Sequence, residues 1–139
     1  MGEFQVTDFG IDTSALVRIL TRQPPLLAEK VKDRIEDILN SGATIFVSNL
    51  VVSEAYIVLQ RFYHAAKEDA ISLLLGLSQL PGFEFDSEAV SALSKSNAAT
   101  MSPGMVDCMI AGEYAGRGLR ILACEKDFRR FPGAEVIEE

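Results

Sequence analysis

The sequence predicts an α/β fold in which a central, mainly parallel sheet carries helices on both faces. Short β-rich apolar runs alternate along the chain with longer segments whose apolar residues recur at helical spacing. Strands that are separated by helices of this length pair in parallel. The chain has 139 residues, of which 48% are apolar, as in an ordinary globular domain. We therefore expect residues 1–139 to form a single domain.

The first half of the chain predicts two strands and three helices. An apolar strand runs to Asp12, and a helix follows from about Ser14. Residues 24–42 have the clearest amphipathic pattern, with a glycine that suits the C-terminal stop. The β-rich run 43–48 predicts the second strand. Residues 49–63 predict a mostly buried helix with a serine or an asparagine as its N-cap.

The second half of the chain predicts three more helices and the remaining strands. A Pro-Gly pair ends the first of these helices, and a Ser-Pro pair is expected at the N-cap and first position of the last one. The expected elements are helix 66–80, strand 83–86, helix 87–99, helix 102–118, strand 119–124 and a candidate last strand, 134–138.

Charge and composition argue against several classes of protein. A net charge of −7 is unfavourable for a protein that coats nucleic acid non-specifically, although it is compatible with an enzyme that has a local basic strip. No apolar stretch approaches the ~20 residues that span a bilayer, so no membrane association is expected. Two cysteines without a disulfide-framework pattern favour a reducing cytoplasm.

Acidic residues recur where the predicted strands end. Asp12 ends the first strand, Glu54 follows the second strand, and Asp107 lies in the second turn of its helix. Glu125 and Asp127 come just after a later strand. The functional cleft of a parallel sheet lies beyond the carboxyl ends of its strands, and carboxylates that converge there repel each other unless a cation binds them. Oxygen ligands without histidine or cysteine favour Mg²⁺ or Mn²⁺.

Each of these acids also has a purely structural explanation. Asp12 could be a helix N-cap, and Glu54 and Asp107 could be acids favoured in early helical turns by ~0.3–1 kcal/mol each. Glu125 and Asp127 could belong to a solvated loop. The residues one turn away from Glu54 are mostly apolar, which would place its carboxylate in unfavourable surroundings. The recurrence at successive strand ends favours the metal site.

Three segments occur in a familiar order: "GIDTSALVRIL", "NLVVSEAYIVLQ" and "GMVDCMIAGEYAGRGLRILACEKDFRRFPG". The chain resembles PIN-domain proteins in these segments, particularly VapC-type toxins. The resemblance implies an α/β/α sandwich and a Mg²⁺- or Mn²⁺-dependent endoribonuclease. By motif position it assigns Asp12, Glu54 and Asp107 as the first three acids, and Thr13 as the hydroxyl residue that supports the site. We expect Asp12 and Asp107 to bind the ion, and Glu54 to join them or to orient the attacking water.

The resemblance leaves the fourth acid open. The segment "ACEKDF" has Ala123 where the family usually has threonine, and Glu125 where aspartate or asparagine is common. Asp127, just before a phenylalanine, fits the other common acidic position. The missing hydroxyl motivates an alternative, a PIN-fold binding module with weak or no catalysis. A dehalogenase-like phosphatase is disfavoured because Ser14 stands where its second aspartate would be.

The resemblance also implies partners. The substrate would be RNA, and a small antitoxin would insert residues into the acidic cleft; the protein would commonly be a homodimer, and helix 50–63 could supply either protein interface. Basic residues near the last site segment could pair with phosphates, although each could equally be a solvated surface residue; they are Arg117, Arg120, Lys126, Arg129 and Arg130.

The substitution Asp12→Asn tests the metal site. It should abolish metal-dependent cleavage and leave the fold stable or even more stable, because it removes one charge from a set of repelling carboxylates. Cleavage of RNA by the variant and by the wild-type protein at saturating Mn²⁺ is the measurement. Unchanged cleavage would mean that Asp12 is only a cap.

Overall fold

The computed structural model describes residues 8–95 and 104–138. Its helices and strands alternate largely as the sequence predicts. They are β1 Phe9–Gly10, α1 Thr13–Thr21, α2 Pro25–Asn40, β2 Ile45–Val47, α3 Asn49–Arg61, α4 Lys67–Ser78, β3 Phe83–Phe85, α5 Ser87–Lys95, α6 Met105–Gly116, β4 Leu122–Ala123, a 3₁₀ helix Lys126–Arg130 and β5 Glu135–Val136.

All the described strand pairs are parallel, as predicted. Strands β1, β2 and β3 form one sheet in that order, with Ile45 opposite both Phe9 and Phe83. Strands β4 and β5 form a separate pair with Leu122 opposite Glu135. The parallel sheet flanked by helices confirms the predicted three-layer α/β/α class. The strands are only two or three residues long, shorter than the apolar runs that predict them.

The main core lies where five helices pack together. Its largest fully buried side chains on those helices are contributed by α1, α3, α4, α5 and α6, namely Leu16, Leu59, Leu74, Leu93 and Met105. Burial of a side chain of this size stabilises the fold by about 1.5–3 kcal/mol. This core fixes α6 against the rest of the molecule.

A smaller core cluster holds the C-terminal segment in place. Ala111 on α6, Ile121 before β4 and Phe128 in the 3₁₀ helix are all buried and pack together. The Phe128 ring also contacts Phe131, with their centroids 5.5 Å apart. This packing holds residues 125–127 next to α6.

The helix N-termini differ in detail from the predictions. Ser48 is the N-cap of α3, and its hydroxyl accepts a hydrogen bond from the Val51 amide at 3.2 Å. Helix α6 begins at Met105 after Gly104 as its N-cap, and the Ser-Pro pair expected there lies outside the described residues. The 3₁₀ helix was not predicted. No helix in the described part of the chain is long and apolar enough to cross a membrane.

Helix α3 is less buried than predicted. One face contributes Val52, Ala55 and Leu59 to the core, while Leu50 on the other face is 79% exposed. The apolar residues of α3 therefore extend beyond its buried face, and one face of the helix is open to solvent or to a partner.

Candidate metal centre

Asp12 is the N-cap of α1. Its Oδ1 accepts hydrogen bonds from the Ala15 amide at 3.0 Å and from the Ser14 hydroxyl at 2.8 Å. The Ala15 amide first, and then the Ser14 hydroxyl, hold the pKa of Asp12 below its ordinary value. The capping interpretation is confirmed, and the hydroxyl that contacts Asp12 here belongs to Ser14 rather than to Thr13, the first residue of α1. The proposed metal role of Asp12 stays a prediction, since a cap leaves the second carboxylate oxygen available.

Asp107 lies in the first turn of α6, one turn earlier than the sequence predicts, and is partly buried. Burial is the main cause that raises its pKa, and the charges of Glu125 and Asp127 raise it further. Glu125 precedes the 3₁₀ helix as its N-cap and Asp127 lies in its first turn; both are exposed. The structure thus brings the expected third acid close to both candidates for the fourth.

Glu54 is exposed on α3. The expectation that its carboxylate lies among apolar side chains was wrong, because Leu50 and Ile57 are themselves 79% and 40% exposed. The buried face of α3 is centred on Val52 and Leu59, and a residue two positions from Val52 points to the opposite side of a helix with 3.6 residues per turn. The Glu54 carboxylate therefore needs no compensating partner in the fold.

Two contacts show how α3 lies against α6. The Asn49 amide nitrogen donates to a Glu113 carboxylate oxygen at 2.9 Å, and the Ser53 hydroxyl donates to the Met109 sulfur at 3.6 Å. The numbering rises along α3 as it falls along α6, so the helices are antiparallel. In an antiparallel pair of right-handed helices, the residue that follows each contact position lies on the same side of the plane through the two helix axes. Glu54 and Ile110 therefore lie on one common face of the pair.

The acids fit a divalent cation in type and charge but not in their present spacing. Carboxylate oxygens are the donors that Mg²⁺ and Mn²⁺ favour, and a cation would relieve the repulsion that Glu125 and Asp127 exert on Asp107. Among residues 8–95 and 104–138, however, no three His, Cys, Asp or Glu side chains are placed to hold a metal ion.

The structure adds an acidic residue that the sequence pattern did not point to. Asp86 directly follows β3, and burial first, then the charges of Glu88 and Glu113, raise its pKa. The rule that singled out Asp12, an acid just after a parallel strand, could have found it. Glu113 in turn accepts the hydrogen bond from Asn49, so this group links α3, α5 and α6.

The predicted RNA-binding residues fall into two sets. Arg120 lies 3.9 Å from Glu135 and donates to the Gly133 carbonyl at 2.8 Å, and Arg129 pairs with Glu138. The other three are exposed and have no ion-pair partner in the described parts of the chain; they are Arg117, Lys126 and Arg130.

Two replacements of Asp12 separate the contribution of helix capping to the free energy of unfolding from the contribution of its charge. Asp12→Ala should lower the free energy of unfolding by about 0.5–2 kcal/mol, whereas Asp12→Asn should cost little because asparagine also caps helices. No acidic neighbour raises the pKa of Asp12, so the gain in stability from reduced repulsion is not expected. Urea denaturation measures both variants, with Ser48→Ala as a matched cap variant. Equal losses for alanine and asparagine would contradict capping by the side-chain oxygen.

The lowered pKa of Asp12 also sets a pH dependence. A carboxylate with a lowered folded-state pKa stabilises the fold above its unfolded pKa, which is ordinarily about 3.8 for aspartate, and loses this contribution as the pH falls through the folded pKa. The difference between the wild-type protein and Asp12→Ala should therefore shrink on acidification. A difference that is constant with pH would mean that the charge of Asp12 contributes nothing.

Asp107 should show the opposite pH dependence. Because its pKa is raised, the folded protein becomes less stable as the pH rises from the unfolded value through the folded one. Asp107→Asn should therefore be at least as stable as the wild-type protein at neutral pH without metal, and lose that advantage in acid. Thermal denaturation between about pH 3 and pH 8 in EDTA is the measurement. Asp69→Asn, in the first turn of α4, is the matched control; equal curves for the two variants would contradict the repulsion at Asp107.

Comparison with known proteins identifies the family of this chain. The sequence pattern of the PIN domain matches residues 10–134. No curated protein matches the chain. One matching solved structure is described as VapBC2 from Rickettsia felis bound to a DNA fragment from their promoter; it has 16% sequence identity and a TM-score of 0.41, over 95% of this chain and 98% of that one. PIN domains are typically nucleases and generally use divalent metal ions. The chain belongs to the PIN-domain family.

Proposed function

We propose that this PIN domain is a Mg²⁺- or Mn²⁺-dependent endoribonuclease, acting in the cytoplasm as the toxin of a toxin–antitoxin pair. One observation carries the proposal: Asp107 is partly buried at the start of α6 in the field of Glu125 and Asp127. The first turn of α6 favours an acid by only ~0.3–1 kcal/mol, whereas burial and the charges of Glu125 and Asp127 disfavour the ionised form of Asp107. A bound cation would offset that cost.

The proposed roles follow from the positions of the acids. Asp12 and Asp107 would hold the ion, Glu54 would join them or orient the attacking water, and Glu125 or Asp127 would act as the fourth acid. A divalent ion bound there would lower the pKa of a water molecule and offset charge on the phosphate. Glu125 and Asp127 are exposed, so their side chains can turn towards Asp107 without disturbing the core. The Ser14 hydroxyl, which donates to Asp12, would support it in the role that the resemblance assigned to Thr13.

Protons should compete with the metal ion for the Asp107 carboxylate. Its raised pKa means that this carboxyl group holds a proton at a pH where an ordinary aspartate has lost it. The proton must leave before Asp107 can act as a ligand, so metal affinity should fall as the pH is lowered towards that pKa. Asp12, with its lowered pKa, is ionised over the same range and keeps the site negative.

The exposed basic residues would hold the RNA backbone. Arg117, Lys126 and Arg130 have no acidic partner in the described structure and lie close in sequence to the acids at 125 and 127. Arg129 is paired with Glu138, so it should contribute less unless that pair opens. Contacts of this kind weaken as the salt concentration rises.

The proposed partners fit the same surfaces. An antitoxin could place an arginine or a lysine among the carboxylates around Asp107, where it would substitute for the charge of the metal. The open face of α3, with Leu50 79% exposed, offers an apolar surface for a homodimer or for the antitoxin. Residues 1–139 would form this unit as one domain.

A second candidate function has its own observation. The described residues bring no three possible ligands together on one ion, and Ala123 replaces the hydroxyl residue usual in the family. Both features favour a PIN-fold module that binds RNA or protein but cleaves weakly or not at all. The two candidate functions differ in whether the protein cleaves RNA at a saturating concentration of the metal ion.

Calorimetric titration with Mn²⁺, followed by RNA cleavage, tests the proposal. The wild-type protein should bind Mn²⁺ and cleave single-stranded RNA, and Asp12→Asn and Asp107→Asn should each lose roughly two orders of magnitude or more in cleavage rate, the scale of a lost electrostatic group. Asp69→Asn should behave as the wild-type protein does. Mn²⁺ binding without cleavage would favour the binding module, and equal binding by all four proteins would contradict the metal site.

A further inference from the structure

A cavity of about 610 Å³ is formed by residues of α1, α2, α4 and β3. One residue from each of these elements illustrates its position: Arg18, Ala28, Leu77 and Phe83. Small-molecule sites in proteins commonly have volumes of roughly 300–1,000 Å³. None of the acids of the candidate metal centre lines this cavity, so it is a separate place on the molecule.

Most of the described residues that line the cavity are apolar. Leu73 and Leu77 lie on α4, and Leu80 follows just after the helix. Leu77 is buried, whereas Leu73 is 40% exposed and Leu80 is 52% exposed. These three leucines form an apolar wall that extends from the core to the surface. A ligand with an alkyl chain would be stabilised there, because the chain and the wall would both be removed from water.

Two arginines at the end of α1, Arg18 and Arg22, also line the cavity. The Nη1 of Arg18 donates to the Tyr63 hydroxyl at 3.1 Å, and the Nε of Arg18 is buried without a hydrogen-bond partner in the described structure. Neither arginine forms an ion pair with an acidic side chain of the described residues. A guanidinium group with free N–H donors can bind a carboxylate through two parallel hydrogen bonds.

The other charged side chains of the cavity lie on α2 and do not neutralise the two arginines. Lys32 and Glu36 form an ion pair with each other at 3.6 Å. Glu29 is exposed and forms no ion pair with the residues that the structure describes. Two arginines against one glutamate leave the described lining with an excess of positive charge, although the whole protein has a net charge of −7. This local excess favours an anionic ligand.

We propose that this cavity binds a small amphiphilic carboxylate, such as a medium-chain fatty acid. Arg18 and Arg22 hold the carboxylate group. The alkyl chain lies along the wall of Leu73, Leu77 and Leu80. A neutral lipid would leave the arginines unused, and a small inorganic anion would leave the apolar wall exposed to water, so the combination selects a ligand with both parts. The proposal does not rest on the ribonuclease function, since the cavity contains none of the acids proposed for it.

Isothermal titration calorimetry with sodium octanoate, below its micelle concentration, tests the charged group and the chain separately. The wild-type protein should bind one octanoate per chain. 1-Octanol, which lacks the charge, and acetate, which lacks the chain, should each bind roughly ten-fold or more weakly. Arg18→Gln should weaken octanoate binding by a similar factor, the scale of one charge-assisted hydrogen bond. Tyr63→Phe keeps the guanidinium and should retain binding, as should Arg61→Gln, an exposed position on α3 outside the cavity.

A second variant tests the apolar wall. Leu80→Asp places a negative charge beside the expected alkyl chain, so it should weaken octanoate binding roughly ten-fold or more, as the loss of the arginine does. Leu119→Asp is the matched control, because Leu119 is 53% exposed, almost the same as Leu80 at 52%, and lies outside the cavity. Thermal denaturation without ligand shows that each variant is folded.

Several results would overturn the inference. They are the absence of octanoate binding by the wild-type protein, equal binding of 1-octanol, and equal losses in Arg61→Gln or Leu119→Asp. No octanoate binding, together with a dimer that Leu80→Asp converts to a monomer, would mean that a second copy of the chain covers the cavity. Octanoate binding as expected in a protein that neither binds Mn²⁺ nor cleaves RNA would uphold the inference while the proposed function fails.

Discussion

The burial of Asp107 close to two other carboxylates is the constraint on which the proposed site depends. Asp107 is partly buried, and burial alone disfavours its charged form. Glu125 and Asp127 are held beside it by the packing of Phe128 and Ile121 against Ala111, which stabilises the fold by apolar burial. The small C-terminal core thus supplies the free energy that keeps like charges together. In the proposed site, a bound cation would offset this repulsion.

Asp12 serves the fold as the N-cap of α1, and in the proposed site it would also bind the metal ion. Its carboxylate caps α1 through the Ala15 amide and the Ser14 hydroxyl, and these bonds lower its pKa. Asp107 has the reverse electrostatics, a raised pKa at the start of α6. In the proposed site, Asp12 would remain ionised and attract the cation, and Asp107 would gain most in stability when the cation binds. The antiparallel contact between α3 and α6 puts Glu54 on the face of that helix pair to which Ile110 also turns.

The sequence patterns predicted the alternation of strands and helices because apolar periodicity reflects burial directly. They also predicted that Asp107 would lie near Glu125 and Asp127, since acids at the ends of parallel strands converge. They were wrong about Glu54, because apolar neighbours along a helix do not reveal which of them the fold buries; Leu50 is mostly exposed. The 3₁₀ helix was missed because short 3₁₀ segments lack a periodic pattern. Asp86 was missed although it directly follows β3, because the rule of acids at strand ends was not applied to that strand.

The position of a bound metal ion tests the central claim most directly. Anomalous diffraction from crystals grown with Mn²⁺ locates the ion without any assumption about the reaction. The account predicts one strong peak in direct contact with a carboxylate oxygen of Asp107 and of Asp12, with Glu125 or Asp127 turned towards it. A peak bound elsewhere, for example beside Asp86 and Glu113, or no peak at saturating Mn²⁺, would contradict it.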